Sequence, residues 1–142
     1  MRIVFVCLGN ICRSPAAEGV MRKLAPFLTL DSAGTGGWHV GDAPYGPMQD
    51  AARRRDIDLS GQRARQFSKD DFDQCDLIVA MDRQNHADIE RLRPVGNGTP
   101  VRLMSDTDVP DPYYTRDFDG ALDIIEVAAI SLLADISAPQ GR

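Results

Sequence analysis

The chain is short of histidine, cysteine and lysine, and each shortage removes a class of function. Its two histidines, His39 and His86, lie far apart and no Cys-x-x-Cys pair occurs, so the spacing that builds a zinc site is missing. Three cysteines, Cys7, Cys12 and Cys75, are too few and odd in number for a disulfide framework. Free thiols in a reducing compartment follow, and the expected location is cytoplasmic. The apolar stretch Met1–Val6 is too short for a signal peptide, and no small-residue cleavage site comes after it. No apolar run approaches the ~20 residues that cross a bilayer, so no membrane partner is expected. Net charge is −5, and the 16 basic residues form no basic stripe. A nucleic-acid partner is therefore not expected either. The one dense basic cluster, Arg53-Arg54-Arg55, reads as a solvated helix face.

What is present is the composition of an ordinary folded domain. With 43% hydrophobic and 26% charged residues, the chain is long enough to bury a substantial core. No repeat or linker divides residues 1–142, so one domain is expected. Short apolar segments at Ile3–Val6, Leu28–Ser32, Leu77–Ala80 and Val101–Met104 predict strands covered on both faces. Helical patterns lie between them. Ala16–Ala25 places Ala17, Val20, Met21 and Leu24 on one face. Met48–Arg55 and Arg83–Leu92 carry weaker patterns, and Phe118–Ile136 offers Leu122, Ile125, Ile130, Leu133 and Ile136 to the sheet. Strands alternating with helices predict an α/β sandwich around a parallel sheet. Sites in such sheets form at the carboxyl ends of strands, and the stretches 34–38 and 42–47 read as loops at that end.

The first strand runs into Cys7-Leu-Gly-Asn-Ile-Cys-Arg13, and Ser14-Pro15 then opens a helix, with Ser14 as N-cap and Pro15 as first helical residue. A strand, a short loop and a helix N-terminus aim backbone N–H groups and a positive dipole end at one point, which makes an anion site. Gly9 lets the backbone curl closely, and Asn10 tolerates a left-handed conformation. A thiol beside a helix N-terminus and a guanidinium is favoured as the thiolate, a nucleophile that needs no neighbouring base. Arg13 adds a planar fork for two phosphate oxygens. A Walker loop is excluded, because it requires Gly-Lys-Ser/Thr where this chain has Cys-Arg-Ser.

The segment Val6-Cys-Leu-Gly-Asn-Ile-Cys-Arg-Ser-Pro-Ala-Ala-Glu18 resembles the signature of the low-molecular-weight protein tyrosine phosphatases. The likeness continues through Asp31-Ser-Ala-Gly-Thr35, Trp38-His39, Asp58-Leu-Ser-Gly61, Ala64-Arg-Gln66, Met81-Asp82 and Asp111-Pro-Tyr-Tyr114. It implies a three-layer sandwich with a four-stranded parallel sheet flanked by helices and the phosphate loop after the first strand. It also implies a cysteine-based phosphatase that calls for neither metal nor cofactor, and a phosphate cradle made by Leu8, Gly9, Asn10, Ile11, Cys12 and Ser14.

Attack on a phosphate ester expels an oxygen anion that a general acid should protonate. Asp106, Asp108 and Asp111 all follow the fourth strand, and their spacing does not choose among them. The resemblance selects Asp111. Tyr113 and Tyr114 beside it could form one wall of a slot for a flat phenolic ring, with Trp38 opposite. Phosphotyrosine is the expected substrate, and the implied route is a cysteinyl-phosphate on Cys7, hydrolysed with Asp111 as base. By resemblance, Ser14 takes part in the network that holds Asn10, Gln62 stands where many relatives carry His, and Cys12 pairs reversibly with Cys7 under oxidation. Asp82 is read as an orienting group or a helix cap, Cys75 as packing, and His39 as a loop hydrogen-bonder.

Three alternatives share the loop. Arsenate reductases relay a disulfide through further cysteines, and Cys75 has no nearby partner in sequence for that. Phosphoarginine phosphatases carry a Thr-like residue where Ile11 stands and lack the paired tyrosines. A non-catalytic phosphate-binding module would have lost Cys7, Arg13 or Asp111. Expected partners are phosphotyrosine-containing proteins and a cognate tyrosine kinase, with the chain a monomer or a weak homodimer.

Overall fold

Ile3-Val-Phe-Val6 is fully buried, with successive side chains entering opposite faces of a sheet. Ile3, Phe5 and Cys7 join one hydrophobic cluster, and Val4 and Val6 join another. The computed structural model describes residues 1–137, and in it this run is the central part of strand β1 (Arg2–Cys7). The chain continues through α1 (Arg13–Leu24), β2 (Thr29–Gly34), α2 (Gly46–Arg53), α3 (Asp71–Gln74), β3 (Leu77–Ala80), α4 (Arg83–Glu90), β4 (Val101–Leu103), α5 (Pro112–Thr115) and α6 (Phe118–Ser137). The sheet has the order β2-β1-β3-β4 and every pairing is parallel. Helices α1, α2 and α6 cover one face, while α3 and α4 cover the other. This is the four-stranded, three-layer arrangement expected from the sequence.

The strand order reverses at β1, whose neighbours β2 and β3 leave in opposite directions. Crossovers diverging on either side of one strand open a crevice at its carboxyl end. Cys7 is the last residue of that strand.

Several expectations need correction. Helix α1 begins at Arg13, so Ser14 lies inside its first turn and is no N-cap; the N-cap is Cys12, without a side-chain cap. Pro15 is the third helical residue, where its missing N–H still costs nothing because first-turn N–H groups have no helical partner. Leu24 is 41% exposed at the helix end, and Ile130 is 62% exposed on α6. The buried stripe of α6 is Ala121, Leu122, Ile125, Ala128, Ala129 and Leu132, with Leu133 and Ile136 only at its margin. This helix is apolar nearly all round, so hydrophobicity alone does not mark its inner face. Arg55, expected in a solvated helix, lies beyond α2 and pairs with Asp119, Asp123 and Glu126 of α6 at 3.2, 3.0 and 2.6 Å.

Candidate active site

The loop between β1 and α1 is shaped around one residue in an unfavourable conformation. Asn10 has φ 58°, the left-handed region that costs a non-glycine residue about 1 kcal/mol or more. Its side chain is used at every polar atom. Nδ2 donates to Ser14 Oγ at 2.8 Å and to Ser32 Oγ at 2.9 Å, and Oδ1 accepts from the backbone N–H of Arg65 at 3.0 Å. With the amide so fixed, the Asn10 backbone N–H points at Cys7 Sγ, 3.2 Å away.

Cys7 is 3% exposed and sits on the α1 side of the sheet. Ser14 Oγ lies 3.0 Å from its sulfur and 3.4 Å from the Ala33 carbonyl. The hydroxyl already accepts from Asn10 and has one hydrogen to give. A thiolate is the stronger acceptor of the two, so the hydrogen goes to sulfur when Cys7 is ionised. Ser14 therefore serves the loop rather than the helix end, and the uncapped first turn of α1 leaves its N–H groups to an anion. The next loop braces this one: Thr35 N donates to the Cys7 carbonyl at 2.9 Å and Gly36 N to that of Leu8 at 2.8 Å.

Arg13 is equally buried. Its Nη1 donates to Asp82 Oδ2 at 2.6 Å and to the Val109 carbonyl at 3.0 Å, and Nη2 reaches Asp111 Oδ2 at 3.4 Å. Burial works against the charge, but Cys7, Asp82 and Asp111 outweigh it and push the guanidinium pKa up. Its Nε is buried with no hydrogen-bond partner among the described residues. A charged donor without an acceptor is costly, and an anionic ligand would relieve it. Asp82 divides its oxygens, one on Arg13 and the other accepting from Asn85 N at 2.7 Å as the N-cap of α4. It is both orienting group and cap.

A cavity of about 250 Å³ opens over this loop. Cys7, Leu8, Gly9, Ile11, Cys12 and Arg13 line its floor, and Trp38, Asp111, Tyr113 and Tyr114 its sides. Asn10 and Ser14 lie behind the floor, in supporting positions. Of the three aspartates left open by spacing, Asp111 reaches the cavity. Asp108 turns to Arg83 at 3.2 Å, and Asp106 is exposed outside it. Asp111 caps the short α5, accepting from Tyr113 N at 3.1 Å. Cys12 is buried in the cavity floor, and burial, then the charges of Cys7 and Asp111, push its thiol up to about 12. All three cysteines are free thiols.

The fold brings further residues here, among them His39, read from the sequence as a loop hydrogen-bonder, and Gln62. His39 lines the cavity with Nδ1 3.1 Å from Asp42. Ser32 and Arg65 hold Asn10; they lie in the segments 31–35 and 64–66 of the family resemblance, where nothing local marks either as a partner of the loop. Gln62 donates to the Pro15 carbonyl at 3.0 Å and accepts from Ser32 at 3.4 Å, so donor and acceptor are both used without a titrating group.

The family model described as low molecular weight phosphotyrosine protein phosphatase matches residues 2–140. A curated relative, the low molecular weight protein-tyrosine-phosphatase YfkJ of Bacillus subtilis, is 41% identical, covering 94% of each chain. The crystal structure of YfkJ superposes with a TM-score of 0.90 at 40% identity, over 96% of this chain and 94% of that one. A protein tyrosine phosphatase from Entamoeba histolytica, solved with Hepes in its active site, gives 0.90 at 34% identity over 96% of both chains. The Drosophila arginine phosphatase DARP gives 0.92 at 26% identity, over 99% of this chain and all of that one.

Proposed function

The chain belongs to the low-molecular-weight phosphotyrosine protein phosphatases, and from that premise we propose how it acts as a protein-tyrosine phosphatase. Cys7 is the nucleophile, Arg13 and the loop N–H groups bind the phosphoryl oxygens, and Asp111 is the general acid and base. The thiolate forms a bond to phosphorus while the bond to the tyrosyl oxygen breaks, and Asp111 gives that oxygen its proton. Water then attacks the cysteinyl-phosphate, Asp111 takes a proton from it, and sulfur leaves as thiolate. Ser14 and the Asn10 N–H hold the charge on sulfur at both ends of the cycle. Donors fixed in place beforehand stabilise the charge on the equatorial oxygens as the transition state forms.

The observation that carries this reading is the convergence of Cys7, the unpartnered Nε of Arg13 and Asp111 on one cavity. Trp38, Tyr113 and Tyr114 around its mouth support an aromatic phosphate. The protein substrates are phosphotyrosine proteins, with a cognate tyrosine kinase as the opposing enzyme. The chain acts in the cytoplasm as a monomer or weak homodimer. Unpaired cysteines are the support for that location. A phosphoarginine substrate is the second reading, supported by the superposition with DARP.

The test is an assay of a phosphotyrosine peptide, a phosphoarginine peptide and arsenate with wild type and Cys7→Ser. Phosphotyrosine should be the preferred substrate, and Cys7→Ser should lose at least ~10³-fold in turnover. Equal rates for the two proteins would overturn the mechanism. A preference for phosphoarginine would overturn only the substrate, whereas a preference for arsenate, whose turnover is a reduction, would overturn the hydrolytic reaction too.

A further inference from the structure

The acid sits on a segment that cannot hold itself in place. Helix α5 is four residues long, far below the length at which a helix is stable alone. Its internal bonds run from Tyr114 N and Thr115 N to the Asp111 carbonyl, both 3.1 Å, and from Arg116 N to the Pro112 carbonyl at 2.9 Å. These fix the shape of the turn and leave open its height above the phosphate loop. The one direct link from the Asp111 carboxylate to the loop is the 3.4 Å contact with Arg13, a long one.

Two residues outside the site supply the missing constraint. Tyr45, just before α2, donates its backbone N–H to the Ile11 carbonyl at 2.8 Å, which ties it to the phosphate loop. Its ring packs on Tyr113, with centroids 5.2 Å apart and planes tilted by 54°. Arg116 closes the connection. Its Nη1 donates to Tyr45 Oη at 3.1 Å and to the Tyr113 carbonyl at 3.3 Å, and its guanidinium lies 5.3 Å from the Tyr45 ring and 5.2 Å from that of Phe118. Arg116 also has φ 64°, a conformation glycine would adopt at much lower cost. A strained position that keeps a long charged side chain points to a use for that side chain.

We propose that Tyr45 and Arg116 are positioning residues: together they set the height of the Asp111 turn over the phosphate loop and so bring the acid within reach of the leaving oxygen. The inference rests on Asp111 being the general acid. Neither residue touches the reacting atoms. Each acts through Tyr113, two residues from the acid.

The effect has a signature that loose packing lacks. A leaving group that is stable as an anion needs little help from the acid, whereas a basic one depends on it. The readout is kcat/KM for phenyl phosphate against 4-nitrophenyl phosphate, because kcat/KM covers the steps through departure of the alcohol. Asp111→Asn sets the full loss, expected to be about 10²-fold or more with phenyl phosphate and much smaller with the nitrophenyl ester. Arg116→Gly keeps the left-handed backbone and removes the clamp. It should lower the phenyl phosphate value about 10-fold, with at most about a twofold change for the nitrophenyl ester. Tyr45→Phe loses the hydroxyl, keeps the ring, and should shift the ratio less in the same sense. Equal losses on both esters, or none, in Arg116→Gly and Tyr45→Phe, with Asp111→Asn still selective, would overturn the clamp and leave the acid assignment standing. An unselective Asp111→Asn would overturn the acid assignment and the clamp with it.

Discussion

Gly36 and Trp38 show how one residue sets the position of another at the mouth of the site. A Cβ built on Gly36 would stand 1.9 Å from Trp38 Cζ3 and 2.4 Å from Cε3, so the indole lies flat against a backbone that has no side chain. Trp38 is 73% exposed and has room to swing away. Gly36→Ala should therefore change stability by no more than ~0.5 kcal/mol, as exposed substitutions generally do. It should nonetheless displace the wall, raising KM for aryl phosphates several-fold while kcat holds. Steady-state kinetics on phenyl phosphate with a denaturation curve would decide, and an unchanged KM would remove Trp38 from the binding site. Cys7 and Arg13 were legible in the sequence because the loop spacing and the helix start are local. The roles of Ser32 and Arg65 were not, since each meets Asn10 only through the fold: Ser32 is 22 residues from it and Arg65 is 55.

Among the elements, α1 carries the phosphate loop, and its seating depends on one close approach. A Cβ on Gly19 would lie 2.4 Å from Leu59 Cδ2 and 2.9 Å from Ile57 Cγ2, both buried side chains with little room to yield. Two effects oppose each other in Gly19→Ala. Helix propensity favours the change by about 1 kcal/mol, and overpacking of a filled core opposes it by about 1–3 kcal/mol. The variant should be net destabilised by roughly 1 kcal/mol, read from the urea midpoint; a gain in stability would mean that the 57–59 segment gives way. Segment 64–67 behaves as a fifth edge beside β2, with Gly34 N donating to the Arg65 carbonyl at 2.9 Å and Phe67 N to that of Gly34 at 2.7 Å. Arg65 secures it by pairing with Asp71 at 2.8 Å and Asp31 at 2.9 Å. Neither this edge nor the one-turn helices α3 and α5 left a periodic pattern, because four residues are too few to show one. Boundaries elsewhere moved by one to three residues at strand and helix ends, where local signals are weakest.

For the molecule as a whole, burying a thiol next to a charged site has a consequence at high pH. Cys12 rises from an ordinary value of 9.0 to about 12 through burial first, then through Cys7 and Asp111. A group whose pKa is higher folded than unfolded contributes stability that is complete below the unfolded value and is lost as pH climbs to the folded one. Between pH 9 and 12 the unfolded chain releases this proton first, so Cys12 should lower folding stability by up to ~1.4 kcal/mol per pH unit. Urea denaturation at pH 8, 9 and 10 should show wild type losing stability more steeply than Cys12→Ala; parallel curves would mean that the thiol ionises as readily in the folded chain. At this scale the sequence by itself determined the class of fold, the phosphate loop and the cysteine that opens it, because strand-length apolar runs, a helix start and a seven-residue loop are encoded by neighbours along the chain. The tertiary structure added that Asp111 is the one of the three aspartates lining the cavity with Cys7, a choice the sequence made only by resemblance. It also added that Ser32 and Arg65 help hold Asn10 in its left-handed turn, and that Ser14 meets the Cys7 sulfur instead of capping a helix. Those depend on residues tens of positions apart meeting where β1 divides the sheet, and contacts across that crevice leave no periodic signal in the chain.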